Sequence, residues 1–255
     1  MTSRPVVLAC SLAVVISLVG VACSSDSDGS ATGGAPDATT STTAAPSSTA
    51  PDAATVDSEL VSFTAEVWAD NWFSLTVNGE AVGEDGVPIT TERSFNSETI
   101  DFEATYPLTV AMVTKDFKED DSGLEYIGTS RQQMGDGGFI AQITDNTTGE
   151  VVLVTDGTWK GLAIHRAPLN PECESSSDPA TECEAQILAE PDGWTDADFD
   201  DAGFETATVH SEADVQPKEG YDEIVWDPDA ELIWTSDLEV DNTILWRATM
   251  AGPNA

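Results

Sequence analysis

The chain has 255 residues, with 47 Asp and Glu against 9 Lys and Arg, a formal net charge of −38. Such an acidic surface repels nucleic acid and anionic membrane faces. Cations, neutral polymers such as glycans, and basic proteins remain as partner classes.

Residues 1–22 read as a secretory signal peptide. Arg4 gives the basic start, Val6 to Val19 the apolar core, and Gly20-Val21-Ala22 the small residues before a cut. The apolar run falls short of the ~20 residues that a spanning helix needs, and no second long run follows. Cys23, directly after Ala22, resembles the lipobox cysteine of bacterial lipoproteins. Gly20 stands where that family usually carries an aliphatic residue, and Cys10 comes too early to leave a full apolar segment. The resemblance implies cleavage before Cys23, diacylation at that residue, and stable anchoring on the extracytoplasmic face of the cell membrane. An ordinary cleaved signal, giving a freely secreted protein, is the alternative. Removing residues 1–22 leaves 8 Lys and Arg against 47 Asp and Glu, a net charge of −39.

Residues 24–57 are Ser, Thr, Ala, Pro, Gly and Asp with almost no large apolar side chain, so they cannot bury a core. With Cys23 they make segment 23–57 a disordered tether, a coil with its ends roughly 30–40 Å apart. The folded part is expected over 58–255.

Strand signals dominate that part. Phe73-Ser74-Leu75-Thr76-Val77 alternates apolar and polar and runs into Asn78-Gly79, a strong hairpin signal, with Glu80-Ala81-Val82 returning. Leu108 to Val113 is a mostly apolar strand. Phe139 to Ile143 and Val151 to Val154 flank the turn Asp145-Asn146-Thr147-Thr148-Gly149. Trp159 to Ile164, Glu231 to Trp234 and Thr243 to Thr249 complete the set. No stretch carries a sustained helical period, so the pattern predicts an all-β, antiparallel sandwich.

Four segments, in order, resemble the galactose-binding-domain-like jelly roll. They are Ala69 to Gly79, ending in Val-Asn-Gly; Gly137-Gly138-Phe139 with Thr155-Asp156-Gly157-Thr158-Trp159; Trp194 with Phe199-Asp200-Asp201-Ala202-Gly203-Phe204; and Ile233-Trp234 with Asn242 to Arg247. The resemblance spans roughly residues 63–250. It implies a two-sheet sandwich that often binds sugars or cations, and it does not imply catalysis. Residues 167–190 form an insert outside this pattern.

Cys173 and Cys183 lie ten apart across a polar loop of that insert. Outside the cytoplasm such a pair is expected to form a disulfide, and no Cys-x-x-Cys or nearby His favours a metal instead. The turn Asp196-Ala197-Asp198-Phe199-Asp200-Asp201 invites a calcium reading, with Asp198, Asp200 and Asp201 as candidate ligands. It fails the EF-hand pattern, because Asp201 stands in the glycine position and Ala207 in the bidentate Glu position. A structural turn is the competing reading.

His165 and His210 come with no nucleophile elbow, so catalysis by a serine triad is not expected. Of the seven tryptophans, Trp72, Trp159, Trp234 and Trp246 read as core, and Trp68, Trp194 and Trp226 as the better exposed candidates. The polar connection from Lys115 to Gly138 is long enough to be a binding loop. Tyr126, Arg131, Gln132 and Gln133 are its candidate ligand residues, a ring to stack on a sugar and donors for its hydroxyls. The functional expectation is a lipid-anchored, non-catalytic module that binds carbohydrate. A structural or adhesive surface protein and an extracytoplasmic hydrolase are the other readings.

Overall fold

Alternation along the strands decides the architecture. In the computed structural model, which describes residues 59–89 and 96–252, the strands are β1 (Val61–Asp70), β2 (Trp72–Val77), β3 (Glu80–Glu84), β4 (Asn96–Ala104), β5 (Leu108–Lys115), β6 (Leu124–Glu125), β7 (Gln133–Met134) and β8 (Gly138–Asp145). They continue as β9 (Glu150–Val154), β10 (Lys160–Arg166), β11 (Gln186–Ile187), β12 (Glu205–Thr206), β13 (Thr208–His210), β14 (Leu232–Trp234) and β15 (Asp241–Met250). One sheet runs β13-β14-β8-β1-β4, with β9 also on β8; the other runs β11-β10-β15-β5-β2-β3, with β12 also on β10. Neighbouring strands are antiparallel, and the two sheets pack as a β-sandwich of the kind a jelly roll forms. Segment 23–57 and Cys23 lie outside the described residues.

Every second residue feeds one core. Phe63, Ala65, Val67 and Ala69 of β1 meet Phe73, Leu75 and Val77 of β2, Leu108, Val110 and Met112 of β5, and Phe139, Ala141 and Ile143 of β8. Phe139 joins the tryptophans there, 5.8 Å from Trp159 and 5.4 Å from Trp246 between ring centroids. The Asn78-Gly79 hairpin forms as expected. Both residues take positive φ, 51° and 81°, and Val77 pairs with Glu80.

The outer faces are covered as well, which corrects the reading of the tryptophans. Trp68 is fully buried, because it points out of β1 into a second cluster with Ile140, Val215 and Leu232. Trp194 is 7% exposed, packed with Phe204, Ile164 and Leu245 over the other sheet. Tyr221 closes on Trp68 edge-on, and Trp226 stays half-buried beside Tyr221. Irregular segments that read as loops thus shield both sheets.

The insert is tied down in three ways. Cys173 and Cys183 are bonded, with Cα atoms 5.3 Å apart. Gln186 and Ile187 add β11 to the edge of β10. Asn170 bridges the base, donating to the Glu182 carbonyl and accepting from the Glu184 amide.

Candidate functional site

Strand register gathers three aspartates at one end of the sandwich. Asp70 closes β1 opposite Gly138, the first residue of β8, which places Asp136 two residues upstream of that pair. The chain then crosses to the other sheet. The Asn71 amide donates to the Lys115 carbonyl at 2.8 Å, and Trp72 pairs with Lys115, so Asp116 follows directly beside Asp70. One carboxylate oxygen from each of Asp70, Asp116 and Asp136 lies within 4.8 Å of the others.

Lys218 reaches this group from the segment between the short helix Glu212–Val215 and Tyr221. Its ammonium donates to Asp70 Oδ2 at 3.1 Å and to both oxygens of Asp136 at 3.3 and 3.1 Å. Among the described residues Asp116 receives nothing: both its oxygens are buried without a hydrogen-bond partner there, as is Asp70 Oδ1. Burial pushes the carboxyl of Asp116 well above the usual range, and the neighbouring charges of Asp70, Glu125 and Asp136 push the same way. Burial likewise raises Asp70, against the pull of Lys218. Burial opposes the charge of Lys218, yet Asp70 and Asp136 hold its pKa above the ordinary lysine value. Gly135 is required here, since a Cβ on it would fall 1.7 Å from Asp116 Oδ2.

A cleft of about 690 Å³ opens next to this cluster, with Asp116 in its lining. Its apolar lining comes from Phe117, Ile164, Ile187 and Leu188, and its polar lining from Lys118, Glu119, Asp121, His165 and Glu190. The insert builds one side, because the Leu188 amide donates to the Ile164 carbonyl at 2.8 Å. His165 is 5% exposed, and neither ring nitrogen has a hydrogen-bond partner among the described residues. Asp121 Oδ1 stands 3.7 Å from its Nε2. Burial, then the nearby Lys118 charge, lowers the pKa of His165, so the ring is neutral at pH 7.

The candidate residues of the 115–138 connection sit on its far lobe. One face of the Tyr126 ring carries the Arg131 guanidinium, 3.9 Å from the ring centroid. Gln132 donates to the carbonyls of Glu174 and Ser176 and accepts from the Gly128 amide, tying the loop to the disulfide insert. Gln133 donates to Glu125 at 3.1 Å. Of this connection, the residues that line the cleft are its first ones, Lys115 to Glu119 and Asp121.

The structure does not bring Asp198, Asp200 and Asp201 together as a converging set of oxygens; among the described residues only Asp70, Asp116 and Asp136 do so. Asp198 is exposed, and Asp200 closes the turn by accepting from the Ala202 amide. Asp201 accepts from Arg247, whose buried guanidinium also donates to the carbonyls of Trp194 and Asp196. His210 contacts the Thr235 carbonyl at 2.8 Å.

Compared with known proteins, the chain matches no family model, no curated protein and no solved structure.

Proposed function

We propose that this protein is a lipid-anchored, extracytoplasmic binding module that does not catalyse, and that it takes a carbohydrate in the cleft between the Lys115–Asp121 segment and the insert. The observation that carries the reading is the cleft itself. Its lining combines the apolar side chains of Phe117, Ile187 and Leu188 with the polar ones of Lys118, Glu119 and Glu190. A pyranose presents the same two characters, an apolar face and a rim of hydroxyls. His165 lines the cleft with both ring nitrogens buried and unpartnered among the described residues, so it would offer one donor and one acceptor to such hydroxyls once binding turns the ring toward the cleft. The jelly-roll-like order of motifs supports the same ligand class, and the lipobox-like Cys23 supports the location.

The test is a glycan array probed with the full-length protein, followed by Leu188→Asp and His165→Gln. Leu188 is 43% exposed, so the fold should survive its change. Each substitution should weaken a glycan hit about tenfold or more, the loss expected at a binding hot spot. No hit on the array rejects the carbohydrate class, and a hit untouched by both substitutions rejects the cleft.

A further inference from the structure

A lone lysine does not account for the acidic cluster at the sandwich end. Lys218 is spent on Asp70 Oδ2 and on both oxygens of Asp136. Asp116, 2% exposed, is left with two unpartnered oxygens aimed into the same group, beside the unpartnered Asp70 Oδ1. Removing a charge from water is costly unless that charge is paired, so folded proteins leave buried charges paired or bound to metal. The carboxylates converge: each of the three aspartates offers an oxygen within 4.8 Å of the others, a spread that ligands 2.3–2.6 Å from a single ion can have, and the oxygens of Asp136 are those that Lys218 holds in the absence of an ion.

The donors decide which ion. All are carboxylate oxygens, with no thiolate or imidazole in the group, a set for hard cations rather than zinc or copper. Calcium accepts irregular oxygen geometry and bidentate carboxylates, whereas magnesium demands a smaller, regular octahedron. The approach is open from one side, where the side chains of Lys218 and Asp136 are 34% and 39% exposed. Gly135 brings bare backbone against Asp116 on the other side.

We propose that Asp70, Asp116 and Asp136 form a calcium site, which Lys218 guards as a competing cation. The ion joins the β1-to-β2 crossover, the end of β5 and the approach to β8, three points where the chain leaves its sheets. This assignment rests on the aspartate cluster alone and stands independently of the glycan reading.

The test uses the full-length protein stripped with a chelator and titrated with calcium chloride at fixed ionic strength, followed by calorimetry and thermal melting. One ion should bind per chain, and the melting temperature should climb with calcium. Asp116→Asn should weaken binding more than about 100-fold, beyond the loss typical of removing a supporting residue. Without calcium it should melt no lower than the parent, because an unpartnered carboxylate has gone. Lys218→Gln should bind calcium more tightly than the parent, and calcium should restore any stability it loses. An equal calcium shift in Asp116→Asn, the mark of general screening of an acidic surface, would overturn the assignment. So would an equal response to magnesium, or a Lys218→Gln protein whose lost stability calcium does not recover.

Discussion

Arg247→Met tests what holds the acidic turn between Trp194 and Phe204. Arg247 sits on β15 at 2% exposure, a cation buried on the outer face of its sheet. Its guanidinium donates to the carbonyls of Trp194 and Asp196 and to Asp201, and it lies 5.2 Å from the Phe199 ring centroid. Methionine keeps much of the volume and none of the donors. Hydrogen bonds to charged groups contribute about 1.5–3 kcal/mol each. They are not additive here, because Asp201 is one-third exposed and regains water. Breaking such a buried network should therefore cost about 3–5 kcal/mol in total. For a domain of this size each kcal/mol moves the melting temperature by about 2–4 °C, so a fall of about 6–20 °C is expected. Urea unfolding followed by tryptophan fluorescence measures the loss directly, and the emission of Trp194 should shift red as its cover loosens. Added calcium should raise the melting temperature of the variant no more than it raises that of the parent. A loss below about 1 kcal/mol, or a calcium response larger than the parent's, would refute the reasoning, and the latter would return the turn to Asp198, Asp200 and Asp201 as cation ligands.

Two hairpins were legible because their turns announce them, and β5, β10, β14 and β15 because their runs are largely apolar. Asn78-Gly79 marks the β2–β3 hairpin, and the Asp145-to-Gly149 turn the β8–β9 hairpin. β1 and β4 escaped notice although they pair over nine residues. In β4 the inward positions Ile100, Phe102 and Ala104 alternate with Asp101 and Glu103, so mean composition hides the period. The cysteine pair was legible because its loop is local. Trp68 and Trp194 were not, because their burial depends on segments far along the chain that fold over the outer faces. The acidic cluster was hidden for the same reason. Asp70, Asp116, Asp136 and Lys218 span 148 positions, and only the register of β1 on β8 and β2 on β5 makes them neighbours. In a chain with 47 acidic residues, no local spacing singles out three of them. The one local hint was glycine: Gly135, Gly137 and Gly138 surround Asp136, and the first of these leaves room for the Asp116 carboxylate.

Two further outcomes follow from charge. Burial pushes the carboxyl of Asp85 up to about 6, against the Val87 amide that lowers it. The unfolded value is about 3.9. Between these values the folded state holds the extra proton, so stability falls as pH rises from about 4 to about 6, and the cost is fully present above pH 6. Asp85→Asn should gain about 1–3 kcal/mol at pH 7 and nothing at pH 4; equal gains at both pH values in urea titrations would exclude this origin. The second outcome concerns the whole surface. A formal net charge of −38 sets exposed carboxylates against one another, while Arg166, Arg247 and Lys118 are already committed to Asp241, Asp201 and Asp121. Folding concentrates that charge, so repulsion weighs more on the native state than on the extended chain. The screening length is about 30 Å at 0.01 M salt and about 3 Å at 1 M, which spans distances across a surface at one limit and only contacts at the other. The melting temperature should therefore rise steadily from low to molar salt, alike in sodium and potassium chloride. Chloride salts keep the surface exclusion that sulfate brings out of the comparison, and a chelator keeps divalent ions out. A flat or falling melting temperature in both salts would mean that the surface charges lie too far apart, or are too well hydrated, to strain the fold.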